Sequence, residues 1–187
     1  KRYCVDLSSG ALESAKGKIG DHGVFLCGSF LDIPLEENFF DCAISLHTIY
    51  HIDRDRQEEA VRKLVRVTRP GKKVVIVYGN PDRLTNRLVR FARSLGNPIR
   101  VSRPAAETGQ TDLYFYDHPL KWWNRFGDVA EIRMFPWRSL HPDEQKRLIP
   151  DNGIGRWMLD VLFRLEDRFP VFFTRHFCYP LIVLTKR

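Results

Sequence analysis

The sequence predicts an α/β fold: a mostly parallel sheet covered by helices, with a C-terminal antiparallel strand pair and a helical cap. Three observations lead there. Short β-type runs alternate with helical ones through the first 80 residues, which demands crossover connections between parallel strands. A run of Arg69-Pro70-Gly71 stops a helix directly ahead of an apolar strand. The chain then closes on a β signal after a long helical stretch.

Taken in order, Tyr3 to Val5 reads as a strand and Ser9 to Lys18 as a helix. Val24 to Cys27 and Asp41 to Ser45 read as the next strands. Asp53 to Val67 reads as a helix with Ala60, Val61, Leu64 and Val65 on one face and Glu58/Arg62 and Glu59/Lys63 as i,i+4 pairs on the other. Lys73 to Tyr78 is the fourth strand. The second half loses this rhythm: a helix over Asp82 to Leu95, an irregular stretch through Gly96, Pro98, Pro104 and Gly109, a short helix at Leu120 to Phe126 and a strand at Val129 to Phe135. Ile154, Trp157, Met158, Val161, Leu162 and Leu165 form a stripe that predicts a helix to Arg168, and Phe177 to Thr185 a last strand. No repeat or linker interrupts the 187 residues, so one domain is expected, N-terminally incomplete, with residues 82–128 and 136–176 as cap or insertion segments.

Composition narrows the function. With 43% hydrophobic residues the chain is neither disordered nor a disulfide scaffold. No apolar run approaches the ~20 residues of a membrane helix. Cys4, Cys27, Cys42 and Cys178 lie in or beside strands without metal-ligand spacing, so buried free thiols in a reducing cytoplasm are expected. Thirty Lys and Arg face 23 Asp and Glu, a net charge of +7. From Arg83 to Arg103 six arginines stand without an acid. Arginine forks suit phosphate or carboxylate, which favours an anionic ligand; a solvated face and an anionic membrane surface are the competing readings.

Four short signals carry the chemistry. Tyr3-Cys4-Val5-Asp6-Leu7-Ser8 puts an acid at the carboxyl end of a strand, where nucleotide-binding α/β folds hold ribose hydroxyls, although an Asp there is more often a helix cap. Cys27-Gly28-Ser29-Phe30-Leu31-Asp32-Ile33-Pro34, then Asn38 to Ser45 with His47 to Ile52, then Leu64 to Lys72 follow in order. This succession resembles the class I S-adenosylmethionine-dependent methyltransferases, from Tyr3 to about Pro81, and so implies a Rossmann-like sheet with S-adenosylmethionine as cofactor. The resemblance implies Asp6 at the ribose, Leu7 against the adenine, Ser29 and Phe30 at the adenine edge, and Ser45, Leu46 and His47 beside the methionine moiety and the acceptor. Ser29 stands where the family usually has Asp. The family's glycine-rich loop, with the strand before it and the helix after it, would lie ahead of Asp6, which is the sixth residue. A gap in the sheet is therefore expected, and residues 1–187 alone are not expected to bind the cofactor tightly.

His47 and His51 are the candidate bases, since an imidazole titrates near neutrality. Arg83, Arg87 and Arg90 share one helix face, with Leu84, Leu88, Phe91 and Leu95 toward another, and are the candidate acceptor-binding residues together with Tyr116 and His118. The expected function is methyl transfer to an O or N of a small metabolite or lipid-linked acceptor. The alternative is a non-catalytic interaction protein on the same fold with a degenerate cofactor site. No nucleic-acid motif follows Ser45, peripheral membrane contact stays open, and oligomeric state is not legible.

Overall fold

The computed structural model describes residues 1–94 and 114–187. Strand β1 (Arg2–Asp6) leads through helix α1 (Ser9–Ile19) to β2 (Gly23–Cys27), and β1 and β2 pair in parallel. Ser8 caps α1: its hydroxyl accepts from Ala11 N–H at 3.2 Å. Strand β3 (Phe40–Leu46), two 3₁₀ turns (Ile49–His51 and Arg54–Arg56), α2 (Gln57–Val67) and β4 (Thr68–Val77) form the next parallel unit. Strand β6 (Tyr179–Lys186) lies antiparallel between β4 and the edge strand β5 (Ala130–Arg138). Pro136 is tolerated because β5 is an edge, and the register slips beside it.

The strands do not form one sheet. β1 and β2 make a two-stranded sheet, and β3-β4-β6-β5 a four-stranded one. This corrects the expectation of a single sheet: the break lies between β1 and β3. Tyr3 packs edge-on to Phe39 and Phe40 with ring centroids 5.7 and 5.0 Å apart, so the amino ends of β1 and β3 lie together.

The core lies between the four-stranded sheet, α2 and a 3₁₀ segment at Leu120–Asp128. Val74, Ile76, Ile182 and Leu184 meet Ala60, Val61, Leu64 and Val65 of α2, with Trp123 and Phe126 closing it. The predicted apolar face of α2 is the one buried, and the Glu58–Arg62 pair forms at 2.9 Å. The Glu59–Lys63 pair does not: Glu59 takes Arg56, and Lys63 turns inward.

Beyond Val77 the outcome is more mixed. Helix α3 (Leu84–Ser94) forms as predicted, yet Leu84, Leu88 and Phe91 are exposed rather than seated on the domain. Leu95, Arg100 and Arg103 and the stretch from Gly96 through Gly109 lie outside the described residues. Two short helices, α4 (Pro142–Leu148) and α6 (Pro170–His176), were not foreseen; they flank α5 (Gly153–Arg168). The stripe on α5 points only partly inward, with Ile154 and Trp157 about two-thirds exposed (65% and 64%). Its buried side chain is instead Glu166, which accepts from Ser139 Oγ at 2.5 Å. A satisfied buried carboxylate thus sets the roll of the helix against its apolar periodicity. The thiols are all free, but Cys27 and Cys42 are exposed and Cys4 half-buried; only Cys178 is fully buried. No described helix is long and apolar enough to cross a membrane.

Candidate active site

The carboxyl ends of β1, β2, β3 and β4 carry the candidate residues. At β1, the exposed Asp6 accepts the Ser8 N–H through Oδ1 at 2.8 Å. The carboxylate therefore braces the start of α1, as a capping acid would, while no described residue engages Oδ2. Leu7 beside it is 77% exposed, an apolar surface with no core to cover it.

At β2, Gly28 adopts φ 149°, which a side chain would strain, and its N–H bonds the Asp6 carbonyl at 2.9 Å. A tight turn follows. Asp32 and Ile33 N–H groups converge on the Ser29 carbonyl at 3.0 and 3.1 Å, and Ser29 Oγ accepts from Leu31 N–H at 3.2 Å. Ser29 holds its own turn, leaving its O–H hydrogen and one lone pair for a ligand. Phe30 packs half-buried against the core.

At β3, Ser45 is half-buried and Leu46 exposed. His47 sits in the left-handed region at φ 58°, a conformation that costs roughly 1–3 kcal/mol and survives only where surroundings enforce it. Its N–H bonds the Val77 carbonyl at 3.2 Å, its Nδ1 lies 3.0 Å from Tyr50 Oη, and Tyr179 packs edge-on to the ring at 4.9 Å. Burial, then Arg138 and His51, lowers the His47 pKa, so the imidazole is neutral at neutral pH. Burial raises Tyr50 strongly, keeping its hydroxyl protonated. When Nδ1–H donates to Tyr50, Nε2 has a lone pair for a proton.

His51 is placed differently. A carbonyl can only accept, so His51 Nδ1–H donates to Tyr114 O at 2.9 Å, tethering the turn after β3 to the segment 114–118. Tyr116 continues that tether: its N–H bonds the Tyr50 carbonyl at 2.9 Å, and Arg54 stacks on its ring at 4.9 Å. His118 is buried, stacked flat on Trp122 at 4.3 Å, and burial lowers its pKa. The arginines also divide. Arg83 reaches Cys178 Sγ at 3.0 Å and Glu144 at 3.6 Å, so its charge is already met. Arg87 is exposed, and the side chain of Arg90 lies outside the described residues.

The sequence did not point to Tyr50, Tyr179 or Asp117. Asp117 covers Gly79 at the end of β4, where any Cβ would collide with its carboxylate. Its Oδ1 is buried without a described partner, and burial, opposed by Arg83, holds its pKa up to about 6. Asp117 also perturbs Tyr50 and Tyr179, the two rings that touch His47. Its place in the run Tyr114 to His118 was visible, but only the chain's return over β4 brings it to this cluster.

Residues 1–76 match the family model of a methyltransferase domain. The match takes in the first 76 of the 187 residues. An uncharacterized methyltransferase of Anoxybacillus flavithermus is 34% identical over 73 residues, which cover 39% of this chain and 34% of the relative. The match thus spans about a third of the curated relative. Among solved structures, a S-adenosylmethionine-dependent methyltransferase of Thermotoga maritima, described as a possible histamine N-methyltransferase, is similar at a TM-score of 0.59 with 14% identity, covering 100% of this chain and 73% of that one. A geranyl diphosphate methyltransferase in complex with S-adenosylmethionine is similar at 0.53 with 16% identity, covering 99% and 68%. At such identities the likeness is one of fold alone.

Proposed function

We propose that this protein transfers a methyl group from S-adenosylmethionine to an O or N of a small acceptor. The observation that carries this is the placement of Asp6, with Oδ2 unengaged, at the carboxyl end of β1, beside a turn that turns Ser29 and Phe30 out of β2. The residues present fit the adenosine half of the cofactor: a carboxylate for two ribose hydroxyls, Leu7 and Phe30 as apolar faces, and Ser29 for the adenine edge. The sulfonium supplies an activated methyl group. What the chain adds is alignment and a place for the acceptor's proton. His47, neutral and held by Tyr50 and Tyr179, takes that proton on Nε2 in the tautomer that donates to Tyr50. The described parts of segments 82–128 and 136–176 form the acceptor side, where Arg87 is an exposed arginine open to an anionic group and Arg83 is spoken for by Glu144. His51 and His118 act there as structural ties, through Tyr114 and Trp122.

Calorimetric titration of S-adenosylhomocysteine into the complete protein, the parent for every variant below, tests the reading. Binding that Asp6→Ala weakens supports it. With acceptor in hand, His47→Gln should lower kcat roughly 10²-fold while leaving cofactor affinity near the parent value. A second reading, an interaction protein without catalysis, draws on the break between β1 and β3 and on the Ser29 hydroxyl already engaged by Leu31. Failure of the parent protein to bind S-adenosylhomocysteine would favour it.

A further inference from the structure

Lys63 is the one lysine of α2, expected to pair with Glu59 on the face away from the apolar one; it is 7% exposed. Burying an ammonium is costly unless hydrogen bonds replace its water. Here they do: Nζ donates to the Leu31 carbonyl at 2.8 Å and to the Ile33 carbonyl at 2.6 Å, and lies 5.2 Å from the centre of the Phe30 ring. Its two carbonyl partners bracket Asp32, in the turn whose amides close on Ser29. Among the described residues no carboxylate forms an ion pair with it; Asp32 and Glu59 act on it only at longer range, against Arg66. An apolar side chain would suit the neighbouring Ala60, Leu64 and Val67 better for packing alone. The lysine is thus aimed from the core helix at the loop that follows β2, and at nothing else.

We propose that Lys63 is a positioning residue for the cofactor site: it locks the 28–33 turn from below, so that Ser29 and Phe30 keep the orientation in which they meet the adenine. This rests on the methyltransferase reading given above. Apart from the Gly28 N–H bond to the Asp6 carbonyl at its start, the turn has no other long-range hydrogen bond among the described residues, so removing Nζ leaves two carbonyls without a donor and frees the 29–33 part of the turn.

The test compares Lys63→Met and Lys63→Arg with the parent by calorimetry with S-adenosylhomocysteine, by thermal denaturation and by amide hydrogen exchange. The expected result is a roughly tenfold weaker affinity for the Met variant, faster exchange at Leu31, Asp32 and Ile33, and recovery of most of the affinity by Arg, which restores the donors but not the apolar packing. A folded Met variant that binds as the parent does overturns the proposal. So does an affinity loss that Arg, at equal thermal stability, does not recover. If the Met variant fails to fold, exchange in the parent decides: protection of residues 31–33 on adding S-adenosylhomocysteine supports the role, and unchanged protection overturns it. A parent that does not bind S-adenosylhomocysteine overturns the cofactor reading itself, a result distinct from a binding parent with an indifferent Lys63.

Discussion

The β3-β4-β6-β5 sheet and the β1-β2 pair differ in what holds them. In the first, Val74, Ile76, Ile182 and Leu184 have no exposure at all, and α2 and the Trp123 segment seal the same core. In the second, not one strand residue is fully buried, and Leu12 is the only buried residue of α1. Yet the adenosine-side candidates Asp6, Leu7, Ser29 and Phe30 belong to the weaker half, and His47 with Tyr50, Tyr179 and Asp117 to the stronger. Rigidity is therefore divided unequally across the candidate site: the groups proposed to handle the proton stand on a packed core, while those proposed to meet the cofactor depend on local caps and on Lys63 reaching across from α2.

The contrast can be broken most directly in the core. Trp123→Ala should cost about 3–5 kcal/mol in urea denaturation, whereas Phe25→Ala in half-buried β2 should cost less than about 2 kcal/mol. Equal losses would mean that the two halves unfold as one unit. Amide exchange should likewise be faster along β1 and β2 than along β4 and β6.

Next in size is Asp6→Ala. Losing a carboxylate that would take two ribose hydroxyls should weaken S-adenosylhomocysteine binding by roughly 2–4 kcal/mol, with stability within about 0.5 kcal/mol of the parent, because the side chain is exposed and makes one local bond. Unchanged binding in calorimetry would remove Asp6 from the site.

Asp117 sharpens the stronger half. Its pKa of about 6 lies above the ordinary 3.8, so the folded state holds its proton more tightly than the unfolded chain. Stability from this group is fully present below about pH 4 and is lost as pH rises through 6, by up to roughly 3 kcal/mol. Asp117→Asn should thus be more thermostable than the parent at pH 8 and lose that advantage by pH 4. A difference in denaturation temperature that does not change with pH would show that the carboxylate is not desolvated as the fold implies.

The smallest expected effect is on α3. Arg87→Gln should change stability by less than about 0.5 kcal/mol, since the side chain is exposed, while raising the acceptor KM if the acceptor is anionic. If KM holds and binding to anionic vesicles falls instead, the helix serves a membrane surface. If neither moves, the arginine face is only solvated.

Local signals decided a good deal in this protein. The alternation of apolar runs, the Ser8 cap, the Arg69-Pro70-Gly71 stop and the 3.6-residue face of α2 act over a few residues each, so β1 through β4 and their helices were legible, as were Asp6, Ser29 and His47 as strand-end residues. Other features exist only once distant segments meet. The periodicity of α5 could not reveal that Ser139 would claim Glu166 and roll its apolar stripe outward. Nothing around Lys63 told of the two carbonyls thirty and thirty-two residues earlier in the chain that draw it into the core. Asp117 acquired its raised pKa from burial, in a place beside Gly79 where the missing side chain makes room for its carboxylate. Family resemblance implied a gap in the sheet but not that it would part β1 from β3, and no local pattern showed it, because sheet continuity depends on which edges pair. Propensity and capping act through neighbours in sequence, whereas desolvation and hydrogen-bond satisfaction act through neighbours in space, and the second set chose which residues face the site.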